Sequence, residues 1–370
     1  MSIEINNHVT VLEIDGNALL HNLNYFKQKL HPKTKILAVV KAFGYGSDGV
    51  QIGKFLENKV DYFAVAYANE GIALREADIK TPILVLHPQT PNLQSIIDYK
   101  LEPNLYNFKI LTAFIKLANE ISLKKYPVHI KFNTGLNRLG FCGKDIPEII
   151  SILKETTPLK VQSLFSHLAA SEDLEEQGFT SNQINNFTNI AAQFKKHLGH
   201  EPILHLLNTS GVVNYTKAQF DMVRVGIGLY GFGNDDKETA QLKNTHNLTS
   251  IISQIHLIEV GETVGYNRAF TSKKITKTAT IPVGHADGLS RKLGNKKGYL
   301  RINNQKAAII GNVCMDMIMV DITEIDCKEG DEVIIFNTQE MIQNISNTSE
   351  TIPYETLTAI SQRVKKILKE

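Results

Sequence analysis

The chain has 370 residues, 42% of them hydrophobic and 21% charged, with a formal net charge of +2. Such a balance suits roughly two globular domains and carries no basic footprint for nucleic acid. Cys142, Cys314 and Cys327 show neither metal-ligand spacing nor a disulfide framework, no leader-like segment opens the chain, and no apolar run approaches the ~18 residues of a membrane span, so a cytoplasmic protein without metal is expected.

A short strand is expected at Val9–Ile14, followed by a helix capped by Asp15 with Leu19, Leu20, Leu23, Phe26 and Leu30 at helical spacing. Short apolar runs then recur at Ile36–Val40, Tyr62–Ala66, Ile83–Leu86, Glu102–Tyr106, Val128–Phe132, Val161–Ser166, Ile203–Leu207 and Met222–Val225. Helical patterns fall between them, clearest at Phe108–Ile121, Ile146–Lys154 and Ser181–His197. This alternation predicts an α/β chain whose residues 14–240 form a (β/α)8 TIM barrel. Asn234–Asn247 reads as a linker. Strands without long helices follow at Leu248–Val260, Ile275–Val283, Gly298–Ile302, Ala307–Ile310, Ile318–Asp321 and Glu332–Phe336, predicting a mainly antiparallel β domain over 241–370. Asn344–Ser349 reads as a loop and Tyr354–Leu368 as a closing amphipathic helix, while residues 1–13 are expected to join the β domain.

Lys41, Lys131, His167, Asn208, Thr209 and Arg224 stand at the carboxyl ends of barrel strands, where such folds gather their chemistry. Lys41 leaves a buried strand into a turn containing Gly44, Tyr45 and Gly46. Desolvation there lowers an amine's pKa and frees the lone pair that imine formation needs. Taken alone, the segment is equally a strand ending in a solvated lysine.

The segment Ala38-Val-Val-Lys41-Ala-Phe-Gly-Tyr45-Gly resembles the pyridoxal-phosphate lysine motif of the alanine racemases. It is joined by His129-Ile-Lys-Phe-Asn-Thr-Gly-Leu-Asn-Arg-Leu-Gly140, Arg224-Val-Gly-Ile-Gly-Leu-Tyr-Gly, Val264-Gly-Tyr266, Cys314-Met-Asp316 and Pro353-Tyr-Glu, so the resemblance runs through both domains. It implies interconversion of L- and D-alanine with pyridoxal 5'-phosphate, supplying D-alanine for peptidoglycan. Lys41 is implied as the cofactor lysine and one proton carrier, with Tyr266 as the second. Two carriers are needed, because one base returning its own proton to the same face regenerates the starting enantiomer.

The resemblance further implies that Arg224 meets the pyridine nitrogen, where many pyridoxal enzymes place a carboxylate. His167 would lie beside it and help orient the phenol. Tyr45, Thr209, Gly226, Ile227 and Tyr354 would hold the phosphate with Asn208 close by, and Arg138, Met315 and Asp316 would serve the amino-acid substrate. Lys131 matches a lysine that is often carbamylated in this family, and an unmodified lysine is the alternative. His285 stands where many relatives carry an entrance-lining tyrosine, Thr209 where serine is commoner and Asn133 where aspartate is common. A homodimer with shared sites is implied, in which Lys41 and Tyr266 come from different chains. A serine or broad-specificity racemase, a basic amino-acid decarboxylase of the same plan and a non-catalytic cofactor carrier are the other readings. Tyr354 favours a small substrate side chain, Arg224 argues against the decarboxylase, and the β-domain motifs argue against the carrier.

Overall fold

The structure, a computed structural model, describes residues 8–155 and 158–370, so the expectation for residues 1–7 lies outside it. Strand β1 (Val11–Asp15) runs straight into helix Gly16–Lys27, because the Asp15 carboxylate accepts the Ala18 amide at 2.9 Å and so caps the first turn. Leu19, Leu23 and Phe26 make the buried face of that helix.

Eight parallel strands then close a barrel: β2 (Lys35–Val39), β3 (Tyr62–Val65), β4 (Ile83–Val85), β5 (Glu102–Leu105), β6 (Tyr126–Lys131), β7 (Leu159–Phe165), β8 (Ile203–His205) and β9 (Met222–Val225). Their Val, Ile, Leu and Phe runs are covered on both sides, which is why they read as continuous apolar stretches and not as alternation. The helix expected at Ser181–His197 spans Gln177–Lys195.

The second unit contains β10 (His246–Ile251), β11 (Gln254–Ile258), β12 (Thr263–Val264), β13 (Phe270–Thr271), β14 (Thr276–Ile281), β15 (Tyr299–Ile302), β16 (Gln305–Ile310), β17 (Ile318–Asp321), β18 (Glu332–Phe336) and β19 (Lys365–Lys369). Apart from the β12–β13 hairpin, they form one nine-stranded sheet with β1, in the order β11-β14-β17-β16-β15-β18-β10-β1-β19. The sheet is antiparallel except where β1 runs parallel to β19. The expected barrel followed by a mainly antiparallel β domain is therefore the observed architecture.

Four local readings change. Leu248–Val260 is two strands, divided where the chain turns between β10 and β11. The expected linker contains the short helix Asp236–Thr239 and the start of β10. Asn344–Ser349 lies mostly inside helix Gln339–Thr348, which Thr338 caps and whose Met341, Ile342 and Ser346 are buried. The expected helix Tyr354–Leu368 covers only Pro353–Thr358, and its distal part forms β19 against β1. Pairing across the sheet outweighs the helical spacing of Leu357, Ile360, Val364 and Leu368.

Candidate active site

β2 delivers Lys41 at the barrel mouth, and the backbone then turns left-handed, with φ of 52° at Ala42, 54° at Phe43, 64° at Gly44, 54° at Tyr45 and 84° at Gly46. Left-handed backbone at Ala, Phe and Tyr costs about 1–3 kcal/mol per residue, so the surroundings must over-determine it. They do. The Glu70 carboxylate accepts the amides of Ala42 at 2.6 Å, Ala66 at 2.7 Å and Tyr67 at 3.1 Å, binding the turn to the end of β3. The Asp48 amide donates to the Phe43 carbonyl at 2.8 Å, and a Cβ at Gly46 would overlap the Leu357 carbonyl.

Burial lowers the Lys41 pKa, the Arg138 charge lowers it further, and Glu70 partly opposes both. The amine faces a cavity of about 570 Å³, within the ordinary range for small-molecule sites. Among the described residues, its charged lining groups are all basic: Lys41, Lys131, Arg138 and Arg224. Desolvation, aided by Arg224, Arg138 and Lys41, lowers Lys131 to about 7. The Phe165 ring centroid is 5.6 Å from the Lys131 Nζ and 5.4 Å from the Arg224 Cζ.

Arg224 is lowered to about 9 by burial and by Arg138. Its Nη2 donates to the carbonyls of Ser166 at 2.7 Å and Leu206 at 2.9 Å and to the His167 Nδ1 at 3.1 Å, and its Nη1 donates to the His205 Nδ1 at 2.9 Å. Since a guanidinium only donates, both imidazoles present a lone pair to it. Burial and the neighbouring cations push both histidines well below their ordinary pKa, which agrees with neutral rings. His167 therefore keeps an Nε2 proton to donate.

Across the cavity, Tyr45, Thr209, Gly226, Ile227 and Tyr354 come together with Asn208. The Gly226 amide reaches the Thr209 hydroxyl at 3.3 Å, and a Cβ at Gly226 would overlap the Tyr45 hydroxyl. The Tyr45 ring packs on Tyr230 with centroids 4.7 Å apart, and the Tyr354 hydroxyl donates to Asn234 at 3.2 Å. Desolvation raises both Tyr45 and Tyr354, so their hydroxyls remain protonated donors. The Asn208 side chain is engaged elsewhere, accepting the Gly211 amide at 3.0 Å and the Ser171 hydroxyl at 2.7 Å. The hydroxyl and amide donors, the desolvated Lys41 amine and the buried Arg224 guanidinium supply partners for the phosphate, aldehyde and ring nitrogen of pyridoxal phosphate.

Tyr266, Met315 and Asp316 do not line this cavity. With Cys314 and Met317 they border a second one, of about 670 Å³, on the β domain. Tyr266 sits on the tight turn between β12 and β13, started by Gly265 at φ 79°, and is 72% exposed. The His285 amide donates to the Cys314 carbonyl at 3.0 Å, so His285 belongs to this β-domain cluster too. Within one chain, the residues expected to act together thus fall into two separate groups.

Sequence reasoning missed Glu70, His205 and Arg363. Arg363 bridges Asp287 at 2.6 Å and Asp316 at 2.7 Å, tying the Cys314–Asp316 loop to the segment before β19. Glu70 lay in a short helix after β3 with only its i+3 position to Tyr67 as a signal, and His205 was overlooked in its strand.

The family model described as the alanine racemase N-terminal domain matches residues 14–233, and that of the C-terminal domain matches residues 245–368. The chain is 33% identical over 369 residues to alanine racemase 1 of Caldanaerobacter subterraneus, covering 97% of this chain and 94% of that protein. The solved alanine racemase of Clostridium difficile superposes with a TM-score of 0.92 at 32% identity, covering 98% of this chain and 96% of that one. An alanine racemase from Bartonella henselae, solved with covalently bound pyridoxal phosphate, gives a TM-score of 0.86 at 29% identity, covering 98% and 99% of the two chains.

Proposed function

The chain belongs to the alanine racemase family, and from that membership we propose that it interconverts L- and D-alanine, with pyridoxal phosphate held at Lys41 in the barrel mouth. The observation that carries this reading is the lining of the cavity, where a desolvated lysine amine and a buried guanidinium share a chamber with no lining carboxylate among the described residues. Bound there, the cofactor would acidify the amino acid's α-proton by delocalising charge. Arg224, cationic and a donor only, would leave the ring nitrogen without a transferred proton, which suits removal and return of one proton better than decarboxylation.

In this reading Lys41 and Tyr266 carry the proton on the two sides of the α-carbon. Tyr45, Thr209, Tyr354 and the amides of Gly226 and Ile227 hold the phosphate, with Asn208 shaping that loop. His167 helps orient the phenol. Arg138, Met315 and Asp316 receive the substrate carboxylate and its surroundings, and His285 borders the entrance. A phenol needs nearby positive charge to serve as a base, and the basic barrel mouth supplies it. Because Tyr266 lies on a separate, exposed β-domain face, we assign the working unit to a homodimer, in which the partner subunit's Tyr266 completes each Lys41 site. The neutral amine fraction available to Lys131 at pH near 7 supports carbamylation, which would place an anion between Arg138 and Arg224. The D-alanine formed would feed peptidoglycan, in a cytoplasmic setting that suits three free cysteines.

The test is incubation of enzyme and pyridoxal phosphate with L-alanine in deuterated water. Optical rotation should fall to zero as deuterium enters the α-position. Release of carbon dioxide, or rotation that never changes, would end the proposal.

A further inference from the structure

Beneath Arg224 a line of polar side chains crosses the barrel interior, one from each of five successive strands. Glu102 on β5, His129 on β6, Ser163 on β7, His205 on β8 and Arg224 on β9 are all at most 9% exposed. The His129 Nε2 is 2.8 Å from the Glu102 Oε2, the His129 Nδ1 is 2.5 Å from the Ser163 Oγ, and the Ser163 Oγ is 2.8 Å from the His205 Nε2. The His205 Nδ1 then meets the guanidinium at 2.9 Å. His129 and Ser163 are direct register partners, and Phe165 stacks on the His205 ring with centroids 4.7 Å apart, so the path is built into the strands.

One proton arrangement satisfies every atom in this path. Arg224 only donates, so the His205 Nδ1 accepts and its proton sits on Nε2, which donates to Ser163. The Ser163 hydroxyl then gives its own proton to the His129 Nδ1, and the His129 Nε2–H donates to the Glu102 carboxylate. A doubly protonated His129 would instead make Ser163 accept twice and strand its buried hydroxyl proton without a partner. Tyr62 closes the far end by donating to the same Glu102 oxygen at 3.3 Å. A donor-only group at the top and an acceptor-only group at the bottom give the path a single direction.

We propose that Glu102 is a remote positioning residue for Arg224: as the acceptor-only end of the path through His129, Ser163 and His205, it reinforces the His205 tautomer that the donor-only guanidinium requires. The inference rests on the reading of Arg224 as the partner of the cofactor's ring nitrogen. It adds a control on that residue from the opposite part of the barrel. Replacing Glu102 by glutamine introduces a competing donor at the lower end. The path can then run backwards, leaving a His205 Nδ1–H facing an Arg224 N–H.

Histidine-15N spectra of the wild type, Glu102→Gln, Ser163→Ala and Ser163→Thr, each with and without pyridoxal phosphate, test this. In the wild type, the His205 and His129 protons should both sit on Nε2, as the hydrogen-bond geometry requires. Glu102→Gln should shift the His205 resonances toward the other tautomer and Ser163→Ala should move them by removing the Nε2 partner; both should alter the pH dependence of the bound cofactor's absorbance and lower kcat roughly tenfold, about the worth of one net hydrogen bond, with KM little changed. Ser163→Thr, which keeps the hydroxyl, should restore all three. A wild-type His205 protonated on Nδ1, a doubly protonated His129, or variants whose His205 resonances stay put would overturn the proposal. Absence of alanine racemisation in the wild type would instead remove the functional reading, and the cofactor-free spectra would still judge the path.

Discussion

Gly226 leaves the Tyr45 hydroxyl space that any side chain at position 226 would fill. The hydroxyl is thereby drawn against backbone at the end of β9, beside Thr209, and this approach shapes the proposed phosphate seat. Gly226→Ala should fold, because Tyr45 can swing its hydroxyl away, and should bind pyridoxal phosphate at least about tenfold more weakly, the loss of about one good hydrogen bond. Equilibrium dialysis of the cofactor checks this, and unchanged affinity would remove Tyr45 from the seat.

Lys131 makes the pH expectation. Its folded-state pKa is lowered to about 7, chiefly by burial and further by Arg224, Arg138 and Lys41. The unfolded chain therefore binds the proton more tightly between pH ~7 and the ordinary lysine value of ~10.4, and the unfavourable contribution below that window is relieved as pH rises through it. In buffer free of carbon dioxide, the stability advantage of Lys131→Met over the wild type should shrink from acid to alkaline pH in urea titrations. With 13C-bicarbonate supplied, a carbamate carbon resonance absent from the variant should grow as pH passes about 7. No such resonance would leave Lys131 a plain amine.

The proposed sharing of sites between subunits makes a complementation expectation. Lys41→Ala and Tyr266→Phe should each lose about 100-fold or more in kcat, as expected for removal of a proton carrier. Mixed, unfolded and refolded together, they should recover about a quarter of wild-type activity, because random pairing makes half the dimers mixed and each mixed dimer holds one intact site. No recovery would place Lys41 and Tyr266 in the same chain.

The left-handed turn after Lys41 makes a stability expectation. Gly46 has φ 84°, and a Cβ there would overlap the Leu357 carbonyl. Gly46→Ala should destabilise the protein by about 2–5 kcal/mol, combining backbone strain with overpacking. Urea unfolding checks it, and a loss below about 1 kcal/mol would mean that the turn relaxes freely.

The barrel was legible because most of its parallel strands are short, largely apolar runs, so Lys41, His167 and Arg224 could be placed at their carboxyl ends from the sequence. The end of the chain was not. Leu357, Ile360, Val364 and Leu368 fit a helical repeat, and only the pairing of Val11–Asp15 with Lys365–Lys369 turns their distal half into a strand. The same limit hid Arg363, whose partners Asp287 and Asp316 are brought to it by loops distant in sequence. Glu102, His129, Ser163 and His205 each look like an isolated polar residue in a strand, and closure of the barrel alone sets them side by side. Tyr266 was readable as a motif, but its separation from Lys41 within the chain is a property of the folded β domain.

Strand β1 belongs to the sheet of the second unit, yet at Asp15 it continues without interruption into a helix packed on the barrel. The polypeptide thus passes between the two units twice, once at Asp15 and again beyond Tyr230, and Gln339 stitches the second passage by donating to the Thr239 and Leu242 carbonyls at 3.0 Å each. Cutting the chain at either passage would therefore leave the two units joined by the other.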